Sequence, residues 1–134
     1  MKLVIDAVDH VGLRVTDGAR AEAFYEKLGF AVVFRSPRAP VVVMRNAAGV
    51  ELNLIVNGDP ALDGTNVLMD VPEKRAGITH VALRVASIDA ALRALTALGI
   101  TITEGPVSLG DGVSLFVRDP DRNVIELRGQ HGAG

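Results

Sequence analysis

Two histidines and two glutamates recur at similar places in the two halves of this sequence. His10 opens the run His-Val-Gly-Leu-Arg-Val, and His80 opens His-Val-Ala-Leu-Arg-Val 70 residues later. A glutamate also follows in an apolar run of each half, Glu51 in Val-Glu-Leu and Glu126 in Ile-Glu-Leu. Imidazoles and carboxylates suit a divalent ion such as Zn, Ni, Co, Mn or Fe. We therefore predict that these four residues form one metal site in a duplicated fold.

An ion held in this way would act as a Lewis acid on a carbonyl group and stabilise an enediolate. A carboxylate that leaves the ion could then remove the proton beside that carbonyl, and both Glu126 and Glu51 are candidates for this base. Arg14 and Arg84 follow the two histidines and are candidates for binding a substrate carboxylate or oxyanion. The sequence holds no cysteine, so thiolate nucleophiles, thiolate metal sites and disulfides are excluded.

The composition narrows the class of protein further. A chain of 134 residues, 49% of them hydrophobic, can bury the core of one domain built from two small modules. A formal net charge of −2 gives no reason to expect nucleic acid or an anionic membrane as a partner. No apolar run has the length of a membrane span, and the first residues lack the apolar region of a signal peptide. We expect a cytoplasmic protein that binds a small-molecule substrate.

The pattern of apolar residues predicts the elements that carry these side chains. The first module should span residues 6–56 and the second 78–128, joined by a polar, turn-rich connector at 57–77 within one domain of residues 1–134. Each module is predicted to contain a strand, a helix and three further strands. The strands are predicted at 8–15, 30–35, 41–45 and 50–56, then at 78–85, 100–104, 113–117 and 123–128. The helices should begin after Thr16-Asp17 and after Ser87 and end at Gly29 and Gly99.

Alternation along the first strand of each module separates apolar from polar side chains. Val11, Leu13 and Val15 point to one face, while His10 and Arg14 point to the other. The second copy alternates in the same way. An amphipathic helix should cover each apolar face, with Leu98 among its buried residues. The polar faces, which carry both histidines and both glutamates, should then line a concavity.

Four segments of the sequence resemble the vicinal-oxygen-chelate superfamily, which includes glyoxalase I, extradiol dioxygenases, fosfomycin-resistance proteins, methylmalonyl-CoA epimerase and bleomycin-resistance proteins. The segments are the two His-Val runs, residues 23–30 and residues 116–127. The resemblance implies an α+β fold in which two tandem βαβββ modules form a cup-shaped, mixed and mostly antiparallel sheet with helices on its outer face. It also implies a divalent metal in the cup, with His10, Glu51, His80 and Glu126 as ligands.

Within that superfamily, four ligands of this kind are most similar to glyoxalase I. The resemblance therefore implies a metal-dependent, glyoxalase I-like lyase or isomerase that acts on a small α-oxygenated carbonyl compound. Residues 52–57 lack the aromatic and Asn pattern that helps to hold glutathione in bacterial members, which disfavours a glutathione hemithioacetal. Three alternatives stay open: a fosfomycin-modifying enzyme or extradiol dioxygenase that uses His10, His80 and Glu126 alone, an epimerase, and a metal-free binding protein of the bleomycin-resistance type.

A homodimer is the expected assembly. A sheet of about four strands leaves edges that proteins normally cover, and small two-module members of the superfamily often complete each cup across a twofold axis. In that arrangement His10 and Glu51 come from one chain, and His80 and Glu126 come from the other. The connector is long enough for this exchanged pairing or for a site within one chain.

Overall fold

The computed structural model describes residues 1–62 and 64–131, which fall into two compact units. The first unit is Met1–Ala61, and the second begins at Leu62. The first contains β1 Val11–Arg14, α1 Gly18–Lys27, β2 Ala31–Arg35, β3 Val41–Arg45 and β4 Glu51–Ile55. The second contains β5 His80–Ser87, α2 Ile88–Ala97, β6 Ile102–Leu109, β7 Gly112–Arg118 and β8 Val124–Gln130. The predicted βαβββ plan is therefore confirmed in both modules.

Each unit builds its own four-stranded sheet with the same strand order. The order is β1-β4-β3-β2 in the first sheet and β5-β8-β7-β6 in the second. The first strand of each module pairs in parallel with the last, and the other pairs are antiparallel. The predicted mixed, mostly antiparallel character is thus confirmed within each module. In the described part of the chain, neither helix has the length and apolar character needed to cross a membrane.

Local sequence signals place both helices. The side chain of Asp17 accepts a hydrogen bond from the backbone N–H of Arg20, and Ser87 does the same for Ala90. Each thereby satisfies a backbone donor at a helix N-terminus. Gly29 and Gly99 follow the helix ends with φ of 94° and 72°, a left-handed conformation that glycine adopts without a steric penalty. The predicted caps and stops are therefore correct.

Two strand boundaries differ from the prediction by three residues or more. The first strand begins at Val11 rather than at residue 8, because its pairing with β4 begins with Val11 opposite Leu52. β6 continues to Leu109 rather than ending at residue 104, because a shift in register between Glu104 and Val107 carries the pairing past the Gly-Pro sequence.

The alternation along β4 is confirmed by burial. In β4, Leu52 and Leu54 are fully buried while Glu51 and Asn53 are only half-buried. Tyr25 of α1 is also fully buried and makes edge-on contacts with two phenylalanine rings. In the second unit Ile88 and Leu95 bury the face of α2, but Leu98 is 38% exposed. The prediction for Leu98 is wrong because this residue is the C-cap, one position beyond the last residue of the helix.

An ion-pair cluster ties the connector to the turn between β7 and β8. Asp70 accepts two hydrogen bonds from Arg118, at 2.8 and 2.9 Å, and a third from Nε of Arg122 at 2.9 Å. Nδ2 of Asn66 donates to the backbone carbonyl of Arg122 at 3.0 Å. These bonds hold Arg122 at a φ of 66°, which is unusual for a residue with a side chain. The hydrogen bonds from Arg118 and then Arg122 hold the pKa of Asp70 well below its ordinary value.

We predict that Asp70→Asn lowers the free energy of unfolding by about 1 kcal/mol at pH 7, because exposed ion pairs contribute little individually. Since the pKa of Asp70 is depressed by folding, its contribution should be complete above about pH 5 and decline as the pH falls below about 4. Urea denaturation of both proteins across this range measures the difference. Glu73→Gln, which removes a charge from the same connector, is the control. A difference that stays constant down to pH 2 would contradict the linkage.

Candidate functional site

Glu126 lies buried in the central strand of the second sheet, with a different partner on each carboxylate oxygen. Its Oε1 is 3.0 Å from Nε2 of His80. Its Oε2 accepts a 2.7 Å hydrogen bond from the hydroxyl of Ser114, and that hydroxyl accepts a 3.1 Å hydrogen bond from Arg128. The residue is 7% exposed and Ser114 is fully buried. The network fixes one oxygen of the carboxylate and leaves the other facing the histidine.

The ring of His80 is held from two further sides. Its Nδ1 lies 2.8 Å from the hydroxyl of Thr79, and the ring meets Phe116 edge-on at a centroid distance of 6.2 Å. Two donors that are each about 2.1 Å from one ion lie about 3.0 Å apart at the right angle of octahedral coordination and about 3.4 Å apart at the tetrahedral angle usual for Zn. The separation between His80 Nε2 and Glu126 Oε1 matches the first of these values. The second unit therefore offers two donors in a geometry that fits a divalent ion.

The first unit brings His10 and Glu51 together in a more exposed setting. Nδ1 of His10 lies 2.6 Å from Oδ1 of Asp9 and 3.9 Å from Oε2 of Glu51. The other oxygen of Glu51 pairs with Arg45 at 2.7 Å. Asp9, His10 and Glu51 each present a ligand atom within 4.8 Å of the others. This group could hold a cation too. Both carboxylates lie on the Nδ1 side of the His10 ring, and Asp9 is the nearer of the two.

The strand register corrects the expectation that Glu51 and Glu126 occupy matching positions. Glu126 lies beside Ala82 on one neighbouring strand and Phe116 on the other. In the first sheet, the residue with the corresponding neighbours is Asn53, beside Gly12 and Val43.

The turns between the paired strands agree with this assignment. Glu51 lies opposite Arg45, and the matching position opposite Arg118 is Val124. Five residues separate the members of each pair, so the two hairpins align without a gap. The shared Glu-Leu sequence suggested a different alignment, one that is two residues out of register. Counting residues from the turn of each hairpin gives the correct match, which is Asn53 with Glu126.

The two candidate substrate-binding arginines lie on the same faces as the histidines, by the alternation of β1 and β5. Arg14 is exposed, and its Nε donates to Oδ1 of Asn57 at 3.1 Å. Arg84 is also exposed and lies opposite Arg128 in the sheet. The structure thus pairs His10 with Glu51 and His80 with Glu126, each within its own unit. A role for the arginines in substrate binding stays a prediction.

Sequence reasoning missed four polar neighbours of these residues, namely Asp9, Arg45, Ser114 and Arg128. For Ser114 a signal existed. It is a single hydroxyl in the apolar run Val-Ser-Leu-Phe-Val, at a position whose neighbours are buried. A buried hydroxyl needs a hydrogen-bond partner, and here that partner is Glu126.

Comparison with known proteins agrees with the fold. Residues 7–127 match the model of the Glyoxalase/Bleomycin resistance protein/Dioxygenase superfamily. Virulence protein STM3117 of Salmonella typhimurium is 31% identical over 133 residues, which cover 95% of this chain and 86% of that protein. The crystal structure of SMU.1112c is 28% identical with a TM-score of 0.74, covering 93% of this chain and 99% of that one. A bleomycin-binding protein complexed with bleomycin is 22% identical with a TM-score of 0.66, covering 95% and 100%, and shares the fold.

The chain therefore belongs to the glyoxalase, bleomycin-resistance and dioxygenase superfamily, as the resemblance of its motifs implied. Its class is a vicinal-oxygen-chelate enzyme or small-molecule binding protein, in a superfamily whose members typically hold a divalent metal.

We predict that Ser114→Ala lowers the free energy of unfolding by roughly 1–3 kcal/mol, because it leaves a buried carboxylate oxygen of Glu126 without its donor. Urea denaturation followed by circular dichroism measures the loss. Ser108→Ala removes a hydroxyl from an exposed position of β6 and should change stability by less than about 0.5 kcal/mol. Equal effects of the two substitutions would show that the Ser114 hydroxyl contributes nothing specific.

Proposed function

We propose that this protein is a divalent-metal-dependent lyase or isomerase of the glyoxalase I type, acting on a small α-oxygenated carbonyl compound. The observation that carries the proposal is the pairing of His80 with the buried carboxylate of Glu126 at 3.0 Å, a separation suited to two ligands of one ion. The second pair of the same residue types, His10 and Glu51, supports it. Superfamily membership is compatible with this activity but does not by itself select it.

His10, Glu51, His80 and Glu126 are the proposed donors to the ion. Two neutral imidazoles and two carboxylates balance the charge of a divalent cation and suit Zn, Ni, Co, Mn or Fe. The bound ion would supply Lewis-acid polarisation of a substrate carbonyl. Arg14 and Arg84 are proposed to hold a substrate carboxylate or oxyanion through charge-assisted hydrogen bonds.

The environments of the two glutamates support different roles. Glu126 is buried and anchored by Ser114, so we assign it as the fixed donor. Glu51 is more exposed, and its Arg45 partner has a side chain 49% exposed, so little free energy opposes its movement. We assign Glu51 as the base that removes the proton beside the substrate carbonyl and returns it to the neighbouring atom.

One observation favours a second candidate function. Glu51 is bound by Arg45 and stands out of register with Glu126, which is compatible with a set of only three ligands, His10, His80 and Glu126. That set is the one expected for a fosfomycin-modifying enzyme or an extradiol dioxygenase. Iron-dependent oxygen uptake with catechols would favour the dioxygenase, and thiol-dependent loss of fosfomycin would favour the fosfomycin-modifying enzyme.

We expect the purified protein to take up close to one divalent ion per chain after reconstitution, and His80→Ala to reduce this to less than about a tenth. The physical reason is that a buried carboxylate cannot hold the ion without its neighbouring imidazole. Elemental analysis after desalting measures the content for each of the five metals, and a panel of carbonyl substrates follows with the best of them. His131→Ala, which removes an exposed histidine paired with Asp89, is the control. Content below a tenth in the wild-type protein would favour a metal-free binding protein.

We also propose that the protein is a homodimer, because each sheet ends in strands whose outer edges are available for pairing. If each site combines the first module of one chain with the second module of its partner, mixing His10→Ala and His80→Ala proteins should restore metal binding. One site of the heterodimer then carries both substitutions, and the other site is intact. We expect no ion in either mutant homodimer and one ion per heterodimer. Different affinity tags on the two chains allow the heterodimer to be purified before its metal content is measured.

The absence of metal in a proven heterodimer would show that each chain builds its own site. A monomer in analytical ultracentrifugation at micromolar concentration would contradict the dimer.

A further inference from the structure

Asn53 carries a polar atom that the fold leaves without a partner. Among the described residues, Oδ1 of Asn53 is the buried side-chain polar atom that has no hydrogen-bond partner. Burial of an amide oxygen without a donor costs roughly 1–3 kcal/mol, and most buried polar groups in proteins avoid it. A leucine of similar volume would remove that cost. The retention of an amide here indicates that its oxygen has a partner that the protein chain does not supply.

The position of Asn53 indicates what that partner is. The strand register gives Asn53 the place in the first sheet that Glu126 has in the second, by the pairing on both neighbouring strands. Glu126 lies in that place 3.0 Å from the module's histidine. The unsatisfied oxygen and the matched position are independent observations, since one concerns burial and the other concerns backbone pairing.

The neighbouring strand carries no side chain at the position paired with Asn53. Gly12 is paired with Asn53, and a Cβ atom added to Gly12 would meet no atom closer than Cγ1 of Ile55 at 3.9 Å. The residue paired with Glu126 is also small, Ala82. A small residue at this position is needed if an ion approaches β4. An Asn carbonyl oxygen is an established type of donor to divalent cations.

We propose that Oδ1 of Asn53 is a donor to the ion on the side of the first module, in the place that Glu126 occupies in the second. The inference rests on the proposed function and adds one residue to its donors. It also accounts for the position of Glu51. With a neutral amide on the ion, the first module keeps an oxygen donor when Glu51 moves to act as the base, and Arg45 can hold Glu51 in the meantime.

The test compares Asn53→Leu and Asn53→Asp with the wild-type protein, using Mn²⁺ and Co²⁺ in titration calorimetry and thermal melts of the metal-free proteins. Asn53→Leu should raise the dissociation constant of both ions roughly tenfold or more, while the metal-free variant melts at the same or a higher temperature. Asn53→Asp should bind Mn²⁺ at least as tightly as the wild type, because a carboxylate replaces an amide. Val33→Leu, at an exposed apolar position of β2, is the control and should change neither measurement.

The outcomes separate this inference from the proposed function. If the wild-type protein binds neither ion, the proposed function is overturned and the inference with it. If the wild type binds and Asn53→Leu binds within about twofold of it, the inference alone is overturned. Should Asn53→Leu fail to fold, Asn53→Asp decides: weaker Mn²⁺ binding by the folded variant would show that the position does not face the ion.

Discussion

The register of the central strand in each sheet determines which side chains of this protein can meet. β4 and β8 are each paired in parallel on one side and antiparallel on the other, so their positions are set twice. Side chains alternate between faces with a period of two, and a shift by one residue would exchange the core for the polar face. The buried leucines of β4 and the apolar residues of β8 make such a shift costly. The same constraint that packs the core therefore places Glu126 beside His80.

The duplication is close in backbone and unequal in chemistry. Both modules repeat the cap, the glycine stop and a five-residue turn before the last strand. At the matched position of the last strand, however, the second module has the buried Glu126, held by the Ser114 hydroxyl. The first module has Asn53, whose amide oxygen accepts no hydrogen bond. The additional glutamate of the first module lies at the exposed strand start, paired with an arginine. In the proposed function, these two environments are assigned to the fixed donor and to the base.

The superfamily to which this chain belongs includes enzymes and binding proteins on one fold, so the fold alone does not decide the reaction. The local contacts carry more information. The buried amide oxygen of Asn53 is left unsatisfied and costs stability in the absence of a ligand, whereas the buried carboxylate of Glu126 has a partner on each oxygen. A buried polar atom that opposes stability is an expected mark of a site built for function. The hypothesis that this protein depends on a metal ion rests on that physical argument.

The sequence by itself determined the duplicated βαβββ plan, the helix limits and the face on which each strand residue lies. These depend on interactions over a few residues: Asp17 and Ser87 cap the helices, Gly29 and Gly99 end them, and alternation follows from strand geometry. Only the tertiary structure decided that Asn53, rather than Glu51, matches Glu126, and that Ser114 and Asp70 join segments far apart in the chain. Sequence patterns specify the face of a strand, but which residues of two strands lie opposite one another depends on hydrogen bonds and packing between distant segments.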